Sequence, residues 1–274
     1  MRMSYLKENH LETLGKELIR LSNHAANEII KIYNSDFQID IKHDNSPVTL
    51  ADKVSESIIL EGISKIEPNI DVISEEKYFE EENKVKSDYF FLIDPLDGTR
   101  EFIKKNDEFT INIALVKDNI PLMGIINVPA LNTIYYSFNT KSAYRIDKKK
   151  SIEQIFTRKQ EPETMLYSRS KLSKRMDGIL QKLSINSVLH CGSALKFCLL
   201  SEGKADFYIR HDPCYEWDTA AGQAILAAAG GSFYDINFTN FEYNKPNFLN
   251  QSGFIALAND HQKRHLKEAL SQNN

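Results

Sequence analysis

The sequence predicts an α/β protein whose N-terminal half is of the α+β type. Three observations support this prediction. A long helical pattern opens the chain, a cluster of strand patterns follows without intervening helices, and strands and helices then alternate. Strands that follow one another so closely indicate a largely antiparallel sheet. We expect two packed subdomains, residues 1–150 and residues 151–274, with a lysine-rich turn at 147–150 near their boundary.

The first half of the chain begins with two helical patterns, in which apolar residues recur every three or four positions. The predicted helices span 11–32 and 54–66, with a turn at 43–47 between them. An acidic loop is predicted over 75–82. The apolar run Tyr89–Ile93 predicts a strand that is buried on both faces and stops at Asp94. The other strands predicted here span 71–73, 109–116, 122–128, 133–138 and 143–146.

The second half of the chain alternates between the two kinds of pattern. Predicted strands span 164–167, 187–190 and 205–209, and predicted helices span 171–183, 193–201 and 217–229. The pair Gly230-Gly231 indicates that the last of these helices ends on a left-handed residue.

Composition excludes several classes of protein. Lys and Arg total 34 against 38 Asp and Glu, so the net charge of −4 argues against a protein that coats nucleic acid. The three cysteines form no Cys-x-x-Cys pair, which argues against a disulfide scaffold and favours a reducing compartment. The polar N-terminus and the short apolar runs predict no signal peptide and no stable membrane insertion. We therefore expect a cytoplasmic protein; its oligomeric state is left open.

The segment Asp94-Pro95-Leu96-Asp97-Gly98-Thr99 is the most informative part of the sequence. Two carboxylates and the Leu96 carbonyl could converge on a hard divalent cation at the end of a buried strand. Gly98-Thr99 could open a helix whose free N–H groups bind phosphate. The alternative is a helix cap beside a surface turn. The Asp-x-x-Asp spacing does not fit the Asp-x-Asp arrangement of haloacid-dehalogenase-type phosphatases.

Three other segments contain acids or hydroxyls at the ends of predicted elements. They are Ser46–Asp52 before the second helix, Ile73–Glu76 at a strand end and Trp217–Gly222 at a helix start. Taken singly, each has a structural explanation as a helix cap or a solvated acidic loop.

Together with the Asp94 segment, these pieces resemble the inositol monophosphatase family, and the resemblance runs from about Leu11 to beyond Ala256. The acid pair, Asp-Pro-Leu-Asp-Gly-Thr and Trp-Asp-x-Ala-Ala-Gly follow one another in the family's order. Three further segments are similar to its 3'(2'),5'-bisphosphate nucleotidase branch: 100–104 with 108–114, 168–170, and 192–198. Ala194, where a second serine is common, and Lys171, where a histidine is often found, depart from that branch.

The resemblance implies a layered αβαβα sandwich of the sugar-phosphatase type and a cofactor of two or three Mg²⁺ ions. The implied metal ligands are Glu75, Asp94, the carbonyl of Leu96, Asp97 and Asp218. The residues expected to orient or deprotonate the attacking water are Thr99, Asp52 and Glu75. The residues expected to contact substrate are Leu96, Asp97, Gly98, Thr99, Lys196, Arg169, Ser193 and Asp218, with Arg210 a further candidate for a second phosphate.

The implied partner is a small phosphorylated nucleotide. The expected activity is hydrolysis of the 3'-phosphate of adenosine 3',5'-bisphosphate to AMP, with 3'-phosphoadenylyl sulfate as a possible second substrate. Two alternatives remain open at this point. One is an inositol or sugar phosphate monoesterase, and the other is a non-catalytic protein that binds nucleotide or metal.

Overall fold

The structure is a computed structural model that describes residues 8–41, 47–78, 85, 87–160, 163–169, 174–183, 185 and 187–271. The predicted turn at 43–47, the end of the predicted acidic loop and the start of the helix predicted from 171 lie largely outside these residues.

The helices are α1 Glu8–Tyr33, α2 Leu50–Ile66, α3 Glu75–Tyr78, α4 Thr99–Ile103, α5 Lys174–Lys182, α6 Leu195–Ser201, α7 Ala220–Ala228 and α8 Gln262–Ser271. Strands in the first half are β1 Ile39–Ile41, β2 Pro47–Thr49, β3 Asp71–Ser74, β4 Tyr89–Asp97, β5 Thr110–Lys117, β6 Ile120–Val128, β7 Thr133–Ser137 and β8 Ala143–Ile146. The remaining strands are β9 Ile152–Ile155, β10 Thr164–Tyr167, β11 Ser187–His190, β12 Phe207–Arg210, β13 Cys214–Tyr215, β14 Ser232–Asp235, β15 Leu249–Asn250 and β16 Phe254–Leu257.

A seven-stranded sheet forms the framework of the first half, with strand order β3-β4-β5-β6-β7-β8-β9. Only the β3–β4 pair is parallel, and each later neighbour is antiparallel, as the clustered strand patterns predicted. Because β9 belongs to this sheet, the chain passes to the second sheet between Ile155 and Thr164. The division into subdomains at residue 150 stays a prediction.

The two faces of this sheet are covered by different helices. Along β4, Phe91 and Ile93 pack with the apolar faces of α1 and α2, whereas Phe90 and Leu92 pack with α6 and α7. This alternation is the period-two geometry of a strand, and here both faces are apolar because both are covered. The prediction that 89–93 is buried on both sides is confirmed.

A five-stranded sheet forms the other half, with strand order β11-β10-β12-β16-β14. The first three strands are parallel and the last two pair antiparallel. One face of this sheet packs with α6 and α7, and the other with apolar residues of α5 and α8. The layers therefore follow the order αβαβα, which confirms the predicted fold class.

Helix α7 lies unusually close to the first sheet. A Cβ atom at Gly124 of β6 would overlap the carbonyl oxygen of Ala221. The helix sequence Ala-Ala-Gly-Gln-Ala-Ile-Leu-Ala-Ala presents mostly small side chains, which allow this approach. Asp218, two residues before the helix begins, is positioned by this contact.

Several predicted boundaries are wrong for local reasons. Strand β4 does not stop at Asp94 but resumes pairing at Asp97 after an irregularity at Pro95, which cannot donate to the ladder. Glu75 and Glu76 open the short helix α3 instead of a loop. The helix predicted from Ser193 begins at Leu195, because Ser193 adopts φ +47°. The helix predicted from Trp217 is a 3-10 turn, Glu216–Asp218, followed by α7.

Gly230 has φ +98°, so the left-handed end predicted for α7 is confirmed. Among the residues that the structure describes, no helix combines the length and apolarity that crossing a membrane requires.

Candidate active site

The site begins where β4 leaves regular pairing. Asp94 is almost completely buried, and its Oδ1 accepts a hydrogen bond of 3.1 Å from the backbone N–H of Leu96. The hydroxyl of Ser55 in α2 donates to the carbonyl of Pro95 at 2.7 Å. These contacts fix the turn that follows the strand, and with it the direction of the next backbone groups.

Gly98 then reverses the chain into the short helix α4. Its φ of +89° is a left-handed conformation that a side chain would strain. The helix closes with a hydrogen bond of 2.9 Å from the N–H of Phe102 to the carbonyl of Gly98. The N–H groups at the start of the helix have no partner within it, which makes this turn suited to an anionic group.

Asp52 and Thr99 meet beside this turn, although they are far apart in sequence. The Thr99 hydroxyl lies 3.1 Å from Asp52 Oδ1 and 3.4 Å from the Leu96 carbonyl oxygen. The other carboxylate oxygen of Asp52 accepts hydrogen bonds of 2.7 Å from both the N–H and the hydroxyl of Thr49. The bond from the Thr49 N–H belongs to the capping box of α2, and the two bonds together hold the Asp52 carboxylate in a fixed position.

Asp97 and Asp218 come from the two halves of the chain and face each other. Oδ2 of Asp97 accepts a hydrogen bond of 2.5 Å from the N–H of Ala194, and burial raises its pKa. For Asp218, burial and then the nearby charge of Asp97 raise the pKa to about 8, and Glu75 contributes in the same direction. A carboxylate whose pKa is raised by burial and by neighbouring carboxylates would be stabilised by a bound cation.

A cavity of about 240 Å³ opens beside these acids. Both halves of the chain line it. The lining residues are Asp97, Gly98, Arg100, Glu101, Ser168, Arg169, Gly192, Ser193, Ala194, Lys196, Phe197, Tyr208, Arg210, Asp218, Thr219 and Phe254. Acids and the Gly98 turn therefore share one cavity with several cationic side chains.

The cations in the cavity are held in different ways. The buried ammonium of Lys196 donates to the carbonyl oxygens of Cys191 at 3.2 Å and Ser193 at 2.7 Å. Arg210 donates to the carbonyl oxygens of Asp212 at 3.3 Å and Pro213 at 3.0 Å. Neither contact involves a carboxylate, so both side chains keep a positive charge that is not neutralised by these contacts.

Arg169 is different, because its guanidinium forms a two-point ion pair with Glu108. Glu108 also accepts a hydrogen bond of 2.8 Å from the N–H of Gly192. One carboxylate from the first half of the chain thereby joins two segments of the second half at the edge of the cavity.

The structure divides the predicted site residues into two groups. The predicted residues that line the cavity are Asp97, Gly98, Arg169, Ser193, Lys196, Arg210 and Asp218. Asp52, Glu75, Asp94, Leu96 and Thr99 are not part of its lining. Within the described ranges, no three His, Cys, Asp or Glu side chains are already clustered as a metal site.

The donor set nevertheless fits magnesium in its chemistry. It consists of carboxylates and one backbone carbonyl, which are hard oxygen ligands. The like charges of Asp97 and Asp218 supply the second argument, since each raises the free energy of the other's ionised form.

Sequence reasoning assigned no role to several residues that the structure places in the cavity. Tyr208 stands two positions before Arg210 on β12 and so shares its face, a period-two signal that was available in the sequence. Glu101 and Glu108 lie inside recognised motifs, but nothing local shows that their side chains point to the cavity or its edge. Phe254 lies on β16, a strand that the sequence reasoning did not predict.

An αβαβα sandwich with carboxylates, an anion-binding turn and cations around one cavity is the arrangement of a metal-dependent phosphatase. The chain belongs to the inositol monophosphatase family, which matches residues 10–273. It is 38% identical over 247 residues to the "3'(2'),5'-bisphosphate nucleotidase CysQ" of Buchnera aphidicola, covering 88% of this chain and 92% of that protein. It is 37% identical over 244 residues to the protein of the same name from Escherichia coli strain K12, covering 88% of this chain and 98% of that protein.

A solved structure is similar over most of its length. The crystal structure of CysQ from Bacteroides thetaiotaomicron, described as a bacterial member of the inositol monophosphatase family, is 32% identical to this chain. The superposition has a TM-score of 0.75 and covers 89% of this chain and 97% of that one. The family that the sequence resembles is thus confirmed.

Proposed function

We propose that this protein is a magnesium-dependent phosphatase that hydrolyses the 3'-phosphate of adenosine 3',5'-bisphosphate to AMP and inorganic phosphate. One observation supports this most directly: one cavity is lined by Asp97, Asp218 and the Gly98 turn and also by Lys196 and Arg210. The first set suits the reacting phosphate and the second suits another phosphate on the same molecule. The bisphosphate nucleotidase names of the relatives point the same way. A 3'-phosphoadenylyl sulfate substrate would fit the same pattern of charge.

Glu75, Asp94, the Leu96 carbonyl, Asp97 and Asp218 are the residues that would hold magnesium. When bound, magnesium supplies charge neutralisation at the phosphate oxygens and activation of the attacking water. The N–H groups of Gly98 and Thr99 would bind the scissile phosphate. The number of ions and the cytoplasmic location remain predictions.

Thr99 and Asp52 form the proton-accepting pair of this proposal. The hydroxyl of Thr99 donates to Asp52, so its oxygen lone pairs remain available to accept a hydrogen bond from water. Asp52 is held by the cap of α2 and can accept the proton that passes through Thr99. Glu75 is the other carboxylate placed near Asp218 and would assist as a base or ligand.

The second phosphate would contact the basic wall of the cavity, formed by Lys196, Arg169 and Arg210 with the hydroxyl of Ser193. The ammonium of Lys196 also holds the turn at 191–193 in place through hydrogen bonds to two carbonyl oxygens. Lys196 would therefore contribute to substrate binding both by its charge and by positioning this turn. Inositol 1-phosphate has no second phosphate to place there. With a monophosphate substrate the basic wall would keep only its contacts within the protein, which are the ion pair of Arg169 with Glu108 and the attraction of Lys196 and Arg210 to Asp97.

The test compares kcat/KM for adenosine 3',5'-bisphosphate and inositol 1-phosphate with magnesium present. We expect the bisphosphate to be preferred by at least about 100-fold, the equivalent of one or two charge-assisted hydrogen bonds. Arg169→Gln should lower kcat/KM for the bisphosphate more than for inositol 1-phosphate. Arg264→Gln, at a highly exposed position of α8, is the matched control and should leave both unchanged. Faster turnover of inositol 1-phosphate would contradict the proposal.

A further inference from the structure

Glu101 is an acid in the cavity that the proposed function does not use. Among the described residues, three acids line the cavity, and two of them, Asp97 and Asp218, belong to the predicted ligand set. Glu101 stands in the first turn of α4, three residues after Gly98. A carboxylate in a cavity that receives phosphates needs a chemical reason, since the two groups repel each other.

The side chain of Glu101 is held against the phosphate-binding turn. Its Oε2 lies 3.5 Å from the point where a Cβ of Gly98 would stand, and its Cγ lies 2.6 Å from the corresponding point of Gly192. The Glu101 side chain thus occupies space that is open because Gly98 and Gly192 have no side chains. The carboxylate is therefore fixed next to the N–H groups proposed to bind the scissile phosphate.

The carboxylate has little to bind within the protein. Its own backbone N–H is its hydrogen-bond donor, and no side chain in the described part of the chain hydrogen-bonds or ion-pairs with it. Burial raises its pKa, and the charge of Asp97 adds to this, while Lys196 and Lys104 act in the opposite direction. Its oxygens can accept hydrogen bonds from a ligand that enters the cavity.

The position of Glu101 restricts what that ligand group can be. A carboxylate binds either a cation or a hydrogen-bond donor, and the substrate can supply a donor only if that group lies beside the scissile phosphate. On a nucleoside 3'-phosphate, the group that meets both conditions is the 2'-hydroxyl on the neighbouring ribose carbon. A phosphate at that position would be repelled by the carboxylate.

We propose that Glu101 accepts a hydrogen bond from the 2'-hydroxyl of the substrate and thereby selects ribonucleotides over deoxyribonucleotides. This inference rests on the proposed function and deepens it. A purely structural role is the alternative, in which a first-turn acid stabilises the N-terminus of α4. That role would affect all substrates equally, whereas a contact with the hydroxyl affects only substrates that possess it.

The experiment measures phosphate release from adenosine 3',5'-bisphosphate and 2'-deoxyadenosine 3',5'-bisphosphate, with magnesium, by the wild type, Glu101→Ala and Glu101→Gln. We expect the wild type to prefer the ribonucleotide by about tenfold or more in kcat/KM, as for a hydrogen bond to a charged acceptor. Glu101→Ala should reduce this preference to about twofold or less. Glu101→Gln retains an uncharged acceptor and should give an intermediate preference. Asp118→Asn, which removes one exposed carboxylate that does not line the cavity, should keep the wild-type preference.

The outcomes separate the two proposals. If the wild type releases phosphate from the ribonucleotide but Glu101→Ala slows both substrates by the same factor, the inference is wrong and the proposed function stands. The inference is also wrong if the wild type does not discriminate between the two. If the wild type hydrolyses neither nucleotide, the proposed function is wrong and the inference fails with it. Thermal unfolding followed by circular dichroism identifies folded variants, and Glu101→Gln decides if Glu101→Ala does not fold.

Discussion

Two buried aspartates in different parts of the molecule are surrounded in opposite ways. Asp206, beside β10 and β12, is completely buried and is held by Arg158 through both carboxylate oxygens. It also accepts hydrogen bonds of 2.8 Å from the N–H groups of Glu163 and Thr164. Asp218 accepts a hydrogen bond of 3.2 Å from the N–H of Tyr215 and faces the like charges of Asp97 and Glu75 as well as the opposite charge of Arg210.

The difference shows how burial can serve either stability or binding. The charge of Asp206 is neutralised within the chain, and its contacts join Arg158 and residues 163–164 to the second sheet. The charge of Asp218 is opposed by burial and by Asp97 and is only partly offset by Arg210, so its pKa is raised. A buried acid whose negative charge is only partly offset by other groups of the chain is suited to bind a cation from solution.

The largest expected effect is on activity, from Asp218→Asn. This substitution removes one of the charges proposed to bind magnesium, and we expect kcat/KM for adenosine 3',5'-bisphosphate to fall at least about 1,000-fold. Steady-state phosphate release, with magnesium varied up to saturation, measures it. A loss of less than about tenfold would remove Asp218 from the proposed ligand set.

The same variant should behave differently in a stability measurement without metal. In the folded wild type the pKa of Asp218 is about 8, above the value of about 4 for an unfolded aspartate. The folded state therefore loses stability relative to the unfolded state as pH rises from about 4 to 8. Asp218→Asn has no carboxylate at this position and does not lose this stability. With a chelator present, its midpoint temperature of thermal unfolding should therefore exceed that of the wild type at pH 8 and approach it near pH 4. A variant less stable than wild type at pH 8 would contradict the comparison.

Asp206→Asn should produce the opposite result. It leaves Arg158 partly buried without a full counter-charge, which should lower the free energy of unfolding by about 3 to 5 kcal/mol. Urea denaturation measures that change. Activity per folded molecule should stay within about twofold of wild type, because Asp206 does not line the cavity. A stable but inactive variant would be the contrary finding.

The smallest effect is expected from Glu108→Gln, which weakens the ion pair with Arg169 at the cavity edge. Because Arg169 is about half exposed, stability should change by about 1 kcal/mol or less. KM for the bisphosphate should rise several-fold while kcat changes little, since Glu108 positions Arg169 and touches no reacting atom. A double-mutant cycle with Arg169→Gln checks this, because additive effects on KM would exclude the coupling.

The sequence predicted the local parts of the site well. The run Tyr89–Ile93, the Gly98 turn and the end of α7 all depend on neighbouring residues, and the structure has each of them. The fold class followed from the order of elements. Short elements were missed, because four apolar residues such as Phe254–Leu257 have no period of their own. Helix α8 was also missed, because its few apolar positions give no clear helical repeat in the sequence.

The non-local parts of the site could be reached only through family resemblance. Asp97 and Asp218 lie on different halves of the chain, and no local pattern shows that their charges meet. The carbonyls that hold Lys196 are backbone groups, which leave no mark in a sequence. The same holds for Glu101, whose direction follows from the way α4 is folded beside Gly192.

The contact between Gly124 and Ala221 has a consequence for how this protein can vary over evolution. Neither residue reaches the cavity, yet together they set the distance from the first sheet to the helix that follows Asp218. Selection on the chemistry therefore also acts on Gly124, because a side chain there would displace the helix and the aspartate before it. A survey of tolerated substitutions ranked by distance from the substrate would misjudge this position. Its constraint comes from the small distance between sheet and helix, which leaves no room for even a methyl group.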